Sequence, residues 1–405
     1  MKTLPFKKYI VGGYVRDKLL DLEPNDQDYL IVTKEGFSTS DTINYLTSNG
    51  FKQVGKDFPV FLDPETNDEW ALARIERKSG IGYSGFQTEV DNVSIYDDLK
   101  RRDLTINSIA IDEETGEYIE APNSTPLEDI KNKILRPTSE AFIEDPLRFL
   151  RVARMSAKLP DFEVDFESFN NLLSKYNMKE EFKTISKERV FKELEKSLTT
   201  KKPSNFFRTL NKLNILEDFF PFISHSKKHL FFEEKNGFEI SMDILDEVSK
   251  KTKENKTKFS SIYLYSLLLF KSKDLESVFN KLSEIDKIPK KYINLLKFVY
   301  LHFEDFKNFN NLSDIKIVEL LTIDRLSQSE FFEEAMIILS SFDKNIDKNY
   351  QYISNLYYFL KKNKKTFTPT KDIINSFSVE GKLNIDLKNQ WILLKKMEVF
   401  NSFYS

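Results

Sequence analysis

The pattern of apolar and polar positions changes near residue 140 of the chain. Before that point, short β-rich runs alternate with glycine and proline turns, which is typical of an α/β arrangement. Nine of the eleven glycines lie before residue 120. The predicted strands of this part are Lys8–Val11, Asp28–Val32, Val60–Leu62, Trp70–Ala73 and Ser108–Ile111.

Beyond residue 140, glycine nearly disappears and apolar residues recur every three or four positions, as they do in amphipathic helices. In the segment ERVFKELEKSL, Val190 and Leu194 fall on one side of the predicted helix. Breaks between helices are predicted at Pro203, Pro221 and Pro289. This part of the chain therefore reads as an all-helical body.

The length of 405 residues predicts two or three domains. We place an α/β head at residues 1–140, a helical neck at 141–223, and a helical body and tail at 224–405, so the fold class is α+β. No apolar run approaches the ~20 residues that span a membrane, and no signal peptide is recognisable. The absence of cysteine excludes disulfides and thiolate chemistry. We expect a cytoplasmic protein.

The net charge of −3 conceals an asymmetry. Residues 1–150 carry 18 basic and 28 acidic side chains, whereas residues 151–405 carry 43 basic and 36 acidic ones. A part that holds cations beside a part that holds a polyanion would produce this pattern. A chance imbalance over solvated helix faces would produce it equally well.

The first candidate for chemistry is a glycine pair that follows a predicted strand. Gly12 and Gly13 allow the backbone to approach a ligand closely, and the helix after them favours an anion. Arg16, on that helix, adds a charged fork for a phosphate. Taken alone, most turns of this kind are only turns.

Two carboxylates follow at Asp26 and Asp28, at the start of the next predicted strand. Residues two apart on a strand point to the same face, and two adjacent carboxylates are costly unless a cation neutralises them. Magnesium (Mg²⁺), which takes oxygen ligands and is shared with substrate phosphates, is the expected cofactor. The alternative is an exposed turn after Pro24, which the upstream phosphate-loop candidate makes less attractive.

Two further segments carry arginines beside an aspartate. Arg102 is suited to a phosphate or ribose, and Asp103 to a ribose hydroxyl, although this string equally fits a surface turn. In the second segment, Asp145 is a good helix N-cap and Pro146 a good first helical residue. The arginines that follow stay within about a third of the helix circumference, which favours an anionic partner. These arginines are Arg148, Arg151 and Arg154.

Six motifs occur in order: GGYVRD, NDQDYLIV, ARIERKSGIGYSGF, RRDLTINSIA, EDPLRFLRVAR and ISKERVFKELEKSL. Over residues 5–223 the chain closely resembles class II tRNA nucleotidyltransferases, the bacterial CCA-adding enzymes of the polymerase β-like superfamily. The resemblance implies an enzyme that builds the CCA end of tRNA from CTP and ATP without a nucleic-acid template. It implies Mg²⁺ as the cofactor and tRNA, ATP and CTP as partners.

The same resemblance assigns roles to residues. Asp26 and Asp28 correspond to the catalytic metal ligands, and Asp145 with Arg148 to the pair that reads the edge of the incoming base. The full set of implied nucleotide contacts is Gly12, Gly13, Arg16, Arg102, Asp103, Asp145, Arg148, Arg151 and Arg154. A flexible loop that switches addition from C to A corresponds to residues 74–85, with Arg74, Glu76, Arg77 and Lys78.

Relatives with a C-terminal phosphohydrolase domain carry a His-Asp pair, and this chain has no such dipeptide. Its histidines are His225, His229 and His302, and we expect no hydrolase chemistry from them. A poly(A) polymerase shares the head and neck, but such enzymes tend to end in a basic run and this chain ends NSFYS. Addition of only CC or only A stays open, as does the oligomeric state. A non-catalytic RNA-binding relative is disfavoured because both aspartates are retained.

Overall fold

The computed structural model describes residues 4–24, 27–54, 60–78, 86–228, 236–270, 274–379 and 382–405. The chain forms two compact units, Met1–Ser224 and His225–Ser405. Within the described ranges, no helix is both long enough and apolar enough to cross a membrane. The finer division into head, neck and body stays a prediction.

A mixed β-sheet forms the centre of the first unit. Its strands and those of an adjoining hairpin are β1 (Phe6–Val11), β2 (Asp28–Thr33), β3 (Lys52–Val54), β4 (Val60–Leu62), β5 (Glu69–Leu72), β6 (Ile75–Lys78), β7 (Phe86–Glu89), β8 (Ile109–Asp112) and β9 (Tyr118–Glu120). The sheet order is β3-β4-β5-β2-β1-β8-β9, and β6 pairs with β7 alone. β2 is antiparallel to β1 and parallel to β5.

Side chains alternate between the two faces of the central strands, so each face of the sheet packs against its own hydrophobic core. Leu30 packs with Tyr9 and Val11 on one face of the sheet. Ile31, the next residue, packs with Leu46 on the other face. Since side chains alternate along a strand, Asp28 lies on the same face as Leu30. The sheet predicted from the sequence is confirmed, with each predicted strand shifted by two residues at most at either end.

Helices surround the sheet and continue beyond it to the end of the unit. They are α1 (Gly13–Leu19), α2 (Thr39–Ser48), α3 (Ile95–Lys100), α4 (Pro126–Asn132), α5 (Arg148–Lys158), α6 (Phe166–Lys175), α7 (Met178–Lys183), α8 (Lys187–Leu198), α9 (Ser204–Lys212), α10 (Leu216–Phe219) and α11 (Pro221–His225). A short parallel pair, β10 (Ile134–Leu135) and β11 (Glu163–Val164), lies between them.

The helix that carries the arginine row does not begin at Pro146. A 3-10 turn covers Glu140–Glu144, and α5 begins two residues after the proline. The Arg148 N–H donates to the Asp145 carbonyl at 2.9 Å, which closes the turn between the two elements. Phe149 then packs edge-on against Phe142, so the start of α5 is held by an aromatic contact.

The second unit is helical, as predicted. Its helices are α12 (Gly237–Lys251), α13 (Asn255–Phe270), α14 (Leu275–Asn280), α15 (Lys290–Lys307), α16 (Asp314–Leu321), α17 (Ser329–Phe342), α18 (Lys344–Lys362), α19 (Lys371–Ser376) and α20 (Ile385–Asn401), with a small hairpin of β12 (Ser378–Val379) and β13 (Lys382–Leu383). The predicted breaks are confirmed, because α9, α11 and α15 begin at or directly after prolines. His229 lies outside the described residues.

Candidate active site

A cleft of about 630 Å³ opens in the first unit beside β2 and α5. The predicted site residues that line it are Gly12, Gly13, Arg16, Asp28, Arg74, Arg102, Asp103, Asp145, Arg148, Arg151 and Arg154. Asp26 lies outside the described residues, and so do the side chains of Glu76, Arg77 and Lys78. Residues far apart in the sequence therefore meet in one place, although the role of each stays a prediction.

Arginine dominates the charge of this cleft. The described lining carries eight arginines, which are Arg16, Arg74, Arg101, Arg102, Arg148, Arg151, Arg154 and Arg189. Four carboxylates oppose them, from Asp28, Glu69, Asp103 and Asp145. The described lining thus has four more positive than negative charges, which favours a compact polyanion such as a triphosphate.

The glycine turn at the end of β1 is crowded by charged side chains. Gly12 has φ 74° and ψ −134°, a conformation that L-residues rarely adopt. A Cβ added there would lie 3.3 Å from Arg102 Nη1 and 3.9 Å from Asp28 Oδ2. Glycine is therefore favoured at this position for its conformation, and a Cβ would also press on the Arg102 guanidinium, which would have to move by a few tenths of an ångström.

We expect Gly12→Ala to lower the stability of the first unit by about 1–3 kcal/mol, the usual cost of a strained backbone conformation. It should also weaken nucleotide binding, because the new methyl group displaces Arg102. Gly13→Ala is the matched control, since its Cβ would lie at ordinary contact distance from the Arg16 guanidinium, nearest at 3.4 Å, and at a helical position. Thermal unfolding and CTP titration of both variants check this; equal effects from the two would contradict it.

Arg16 sits at the floor of the cleft with a side chain only 5% exposed. Its Nε donates to Asp17 Oδ1 at 2.8 Å, and its Nη1 donates to Asn107 Oδ1 at 2.6 Å. Lys158 Nζ donates to the other oxygen of Asp17 at 2.9 Å. Asp17 therefore ties α1 to the end of α5, and the predicted phosphate contact of Arg16 comes from a guanidinium that is already anchored.

Asp103 joins the sheet side of the cleft to the arginine row. Its Oδ1 accepts from the Leu104 N–H and from Asn107 Nδ2, at 2.8 and 2.9 Å. Its Oδ2 accepts from Arg151 Nε at 2.7 Å. Burial alone would raise the pKa of this carboxyl, but Arg151 and these hydrogen bonds outweigh burial and hold the pKa of Asp103 well below its ordinary value.

The low pKa of Asp103 predicts a pH dependence of stability. A carboxylate with a depressed folded-state pKa contributes stability above its unfolded pKa of about 3.9, and that stability is lost as the pH falls through the folded value. The free energy of unfolding of the wild type minus that of Asp103→Asn should therefore be constant from about pH 8 to pH 5 and shrink below about pH 4. Urea unfolding of both proteins across this range measures it. A difference unchanged at about pH 3 would contradict the assignment.

Asp145 and Arg148 stand at one wall of the cleft. Asp145 Oδ1 accepts from the Leu147 N–H at 3.1 Å, and its Oδ2 accepts from Arg189 Nη2 at 2.9 Å. The Arg148 guanidinium is nearly buried and donates through Nη1 to the Ala141 carbonyl at 2.6 Å. Burial lowers the pKa of Arg148, while the side chain of Asp145 keeps 23% of its surface exposed.

Glu69 is a carboxylate of the cleft that the sequence analysis missed. β2 and β5 are parallel with Tyr29 opposite Trp70, so Asp28 and Glu69 stand side by side at the start of two neighbouring strands. Both line the cleft. No group of three His, Cys, Asp or Glu side chains suited to a metal occurs among the described residues, which do not include Asp26. The two described carboxylates are hard oxygen donors, and they fit Mg²⁺.

Two further residues that the sequence analysis missed lie on α8. Arg154 Nε donates to Glu193 Oε2 at 2.7 Å, and Glu193 belongs to α8. Arg189 lies on the same helix and reaches Asp145. The signal for both was present in the segment ISKERVFKELEKSL, whose charged residues recur on one side of the helix, but nothing local indicates which arginine each would meet.

Comparison with known families places the chain in a class. The model of the Poly A polymerase head domain matches residues 8–136. The model described as the probable RNA and SrmB-binding site of polymerase A matches residues 162–226. The first match covers most of the sheet and its glycine turn. The arginine-lined cleft is formed by that part of the chain together with the helices that follow it. The fold and the site thus define a nucleotidyltransferase.

The CCA-adding enzyme of Coxiella burnetii is 37% identical to this chain over 331 residues, which cover 81% of this chain and 80% of that one. The structure of the Bacillus stearothermophilus CCA-adding enzyme in complex with CTP has a TM-score of 0.65 at 18% identity, covering 98% of this chain and 88% of that one. The Thermotoga maritima CCA-adding enzyme complexed with tRNA has a TM-score of 0.64 at 18% identity, covering 98% and 92%. The chain belongs to the CCA-adding enzymes, a family of nucleotidyltransferases that process tRNA.

Proposed function

We propose that this enzyme adds and repairs the 3′-terminal CCA of tRNA, using CTP and ATP and no nucleic-acid template. The tRNA 3′-hydroxyl attacks the α-phosphate of the nucleotide, a new phosphodiester bond forms, and pyrophosphate leaves. The observation that carries the proposal is the cleft in which strand-end carboxylates face a wall of arginines. The relatives support it, since one of the similar structures holds CTP and another holds tRNA.

Asp28 and Glu69, together with Asp26, are the residues that would hold Mg²⁺. When bound, the ion supplies charge neutralisation at the attacking and leaving oxygens of an in-line displacement. Asp28 and Glu69 hold their positions because each begins a strand of the central sheet. No histidine is needed as a base, which agrees with a described cleft lining that contains none.

The arginines bind the triphosphate and hold it in line. Arg151 and Arg154 project from α5, and each is fixed by a carboxylate behind it, at Asp103 and Glu193. Because these partners restrict the guanidinium groups before the nucleotide arrives, less rotamer entropy is lost on binding. Arg102 approaches the same anion from the side of the Gly12 turn.

The base is selected by Asp145 and Arg148. A carboxylate accepts from the exocyclic amine of C or A, and a guanidinium donates to the adjacent ring nitrogen. U and G present a carbonyl oxygen where C and A present the amine, and that oxygen is repelled by Asp145. Two of about four lone-pair directions on the Asp145 carboxylate are used by Leu147 and Arg189, which leaves acceptor capacity for a base.

The products made from ATP alone on two different RNA primers distinguish this function from that of a poly(A) polymerase, which shares the matched head domain. Purified protein is incubated with ATP alone and either a tRNA that ends before its CCA or an unstructured RNA of equal length. The proposal expects no long adenosine tail on either RNA. Extension of both RNAs by many adenosines would establish the poly(A) function instead.

A further inference from the structure

Asp98 is a fully buried carboxylate that lies behind the cleft rather than in its lining. It belongs to the short helix α3, whose buried face also includes Ile95 and Leu99. A buried carboxylate needs partners for both oxygens, because its desolvation is otherwise very costly. In this protein those partners are the two consecutive arginines Arg101 and Arg102.

Each oxygen of Asp98 receives one arginine. Oδ2 accepts from Arg102 Nε at 3.1 Å and from Arg102 Nη2 at 3.0 Å. Oδ1 accepts from Arg101 Nη2 at 2.7 Å and from Arg101 Nε at 3.2 Å. Asp98 thus accepts hydrogen bonds from the same edge of both guanidinium groups, the Nε–Nη2 edge. These bonds fix the direction in which the rest of each group points.

For Arg102, the remaining nitrogen is directed toward the glycine turn. Nη1 is the side-chain atom that a Cβ at Gly12 would approach to 3.3 Å. Asp98 therefore holds Arg102 by one edge and leaves its other end beside Gly12 and Asp28, in the cleft. Without this anchor, a guanidinium with a side chain 19% exposed has other directions available to it.

Asp98 also reaches the beginning of the β6–β7 hairpin. The Arg74 N–H donates to Asp98 Oδ1 at 3.4 Å, and Arg101 Nε donates to the Arg74 carbonyl at 3.0 Å. Both backbone groups of the residue that precedes β6 are thereby held by the Asp98–Arg101 pair. The hairpin starts from the same fixed point that orients Arg102.

We propose that Asp98 is a positioning residue for nucleotide binding: it aims Arg102 at the Gly12 turn and, with Arg101, fixes the root of the β6–β7 hairpin. The inference rests on the proposed function only in taking the cleft as the nucleotide site. Burial alone would raise the pKa of Asp98, but the two arginines outweigh burial and lower it, so the anchoring charge is present throughout the neutral range.

A double-mutant cycle tests the link between Asp98 and Arg102. CTP affinity and KM are measured for the wild type, Asp98→Asn, Arg102→Gln and the double variant. Asp98→Asn should lower kcat/KM about ten- to a hundredfold through KM, the order of loss that follows a misplacement of about 1 Å. The double variant should lose clearly less than the product of the two single losses, because Asp98 acts in part through Arg102. Additive losses would overturn the proposal.

Asp129→Asn is the matched control. Asp129 is also a buried carboxylate of the first unit, bonded to Thr105 and paired with Arg136, and it does not line the cleft. It should lower the melting temperature as Asp98→Asn does, yet leave KM for CTP within about twofold of the wild type, since neither of its partners, Thr105 and Arg136, lines the cleft. A KM that rises as much in Asp129→Asn as in Asp98→Asn would show a general loss of structure and refute positioning.

Two further measurements keep the proposal falsifiable if Asp98→Asn folds poorly. Arg102→Lys keeps the charge but cannot offer Asp98 two N–H groups from one planar fork, so it should lose as much CTP affinity as Arg102→Gln; full affinity would overturn the proposal. Hydrogen exchange at the Arg74 amide should accelerate in Arg101→Lys. Unchanged exchange would refute the proposed role of Asp98 and Arg101 at the root of the hairpin. A wild type that binds neither CTP nor ATP would instead refute the proposed function.

Discussion

Asp28→Asn should reduce nucleotide addition at least about a thousandfold, because metal ions contribute several kcal/mol to such displacements and each ~1.4 kcal/mol is a factor of ten. Asp28 begins β2, lies on the cleft face of the sheet and stands beside Glu69. The substitution keeps the shape of the side chain and removes the negative charge that the proposed metal site requires. The fold and the affinity for tRNA should change little, since no core contact is lost.

The matched control for this variant is Asp112→Asn. Asp112 ends β8 of the same sheet, where it accepts backbone N–H groups from Glu114 and Thr115, and it does not line the cleft. Its loss should cost stability and only a few-fold in rate. Rates are compared with Mg²⁺ as the only metal, and near-normal turnover of Asp28→Asn would exclude it as a ligand. Asp26→Asn is expected to behave like Asp28→Asn.

Asp145→Ala should change which nucleotides are used rather than lower all rates alike. Under the proposed mechanism, the variant loses the acceptor for the amines of C and A, and it also loses the repulsion against U and G. A good bidentate contact supplies about 1–3 kcal/mol of discrimination, so kcat/KM for CTP and ATP should fall about ten- to a hundredfold. The loss for UTP and GTP should be smaller.

The competing interpretation treats Asp145 as a structural residue. Its Oδ1 does accept a backbone N–H two residues ahead, and its Oδ2 does pair with Arg189. Asp145 is not the N-cap of α5, whose N-cap is Leu147. Loss of its turn hydrogen bond and ion pair would cost about 1–3 kcal/mol of stability and would reduce activity with every nucleotide in proportion. The two interpretations are therefore separated by the pattern across nucleotides and not by the size of the loss with any one of them.

Asp165 offers a control with almost the same contacts. It is the N-cap of α6, accepts the Ser168 N–H at 3.1 Å and pairs with Arg136 at 3.1 Å, but it does not line the cleft. Asp165→Ala should lower the melting temperature and leave the ratio of rates among the four nucleotides unchanged. If Asp145→Ala showed the same uniform pattern, base reading by Asp145 would be rejected.

Local sequence signals were sufficient for the elements that present the site. The run that ends at Val11 predicted β1, and the glycine pair predicted the turn into α1. The three-residue spacing of arginines predicted that one helix carries all three into one region, and Arg148, Arg151 and Arg154 do line one cleft. Such signals work because strand and helix periods act over a few residues.

Contacts between distant segments could not be predicted in this way. Lys158 meets Asp17 across 141 residues, and Arg151 meets Asp103 across 48. Glu69 escaped notice because its place beside Asp28 depends on the parallel register of β5 with β2. No local pattern encodes that register, which is set by packing on both faces of the sheet.

The order and number of nucleotides added to a trimmed tRNA test the central claim most directly. Purified protein is given a tRNA that lacks its CCA, with CTP alone, ATP alone, or both, and the products are sequenced at single-nucleotide resolution. We predict two cytidines with CTP alone, none or negligible addition with ATP alone, and CCA followed by arrest with both. Adenosine addition directly to the trimmed end, continued extension beyond CCA, or arrest after CC with both nucleotides present would contradict the account.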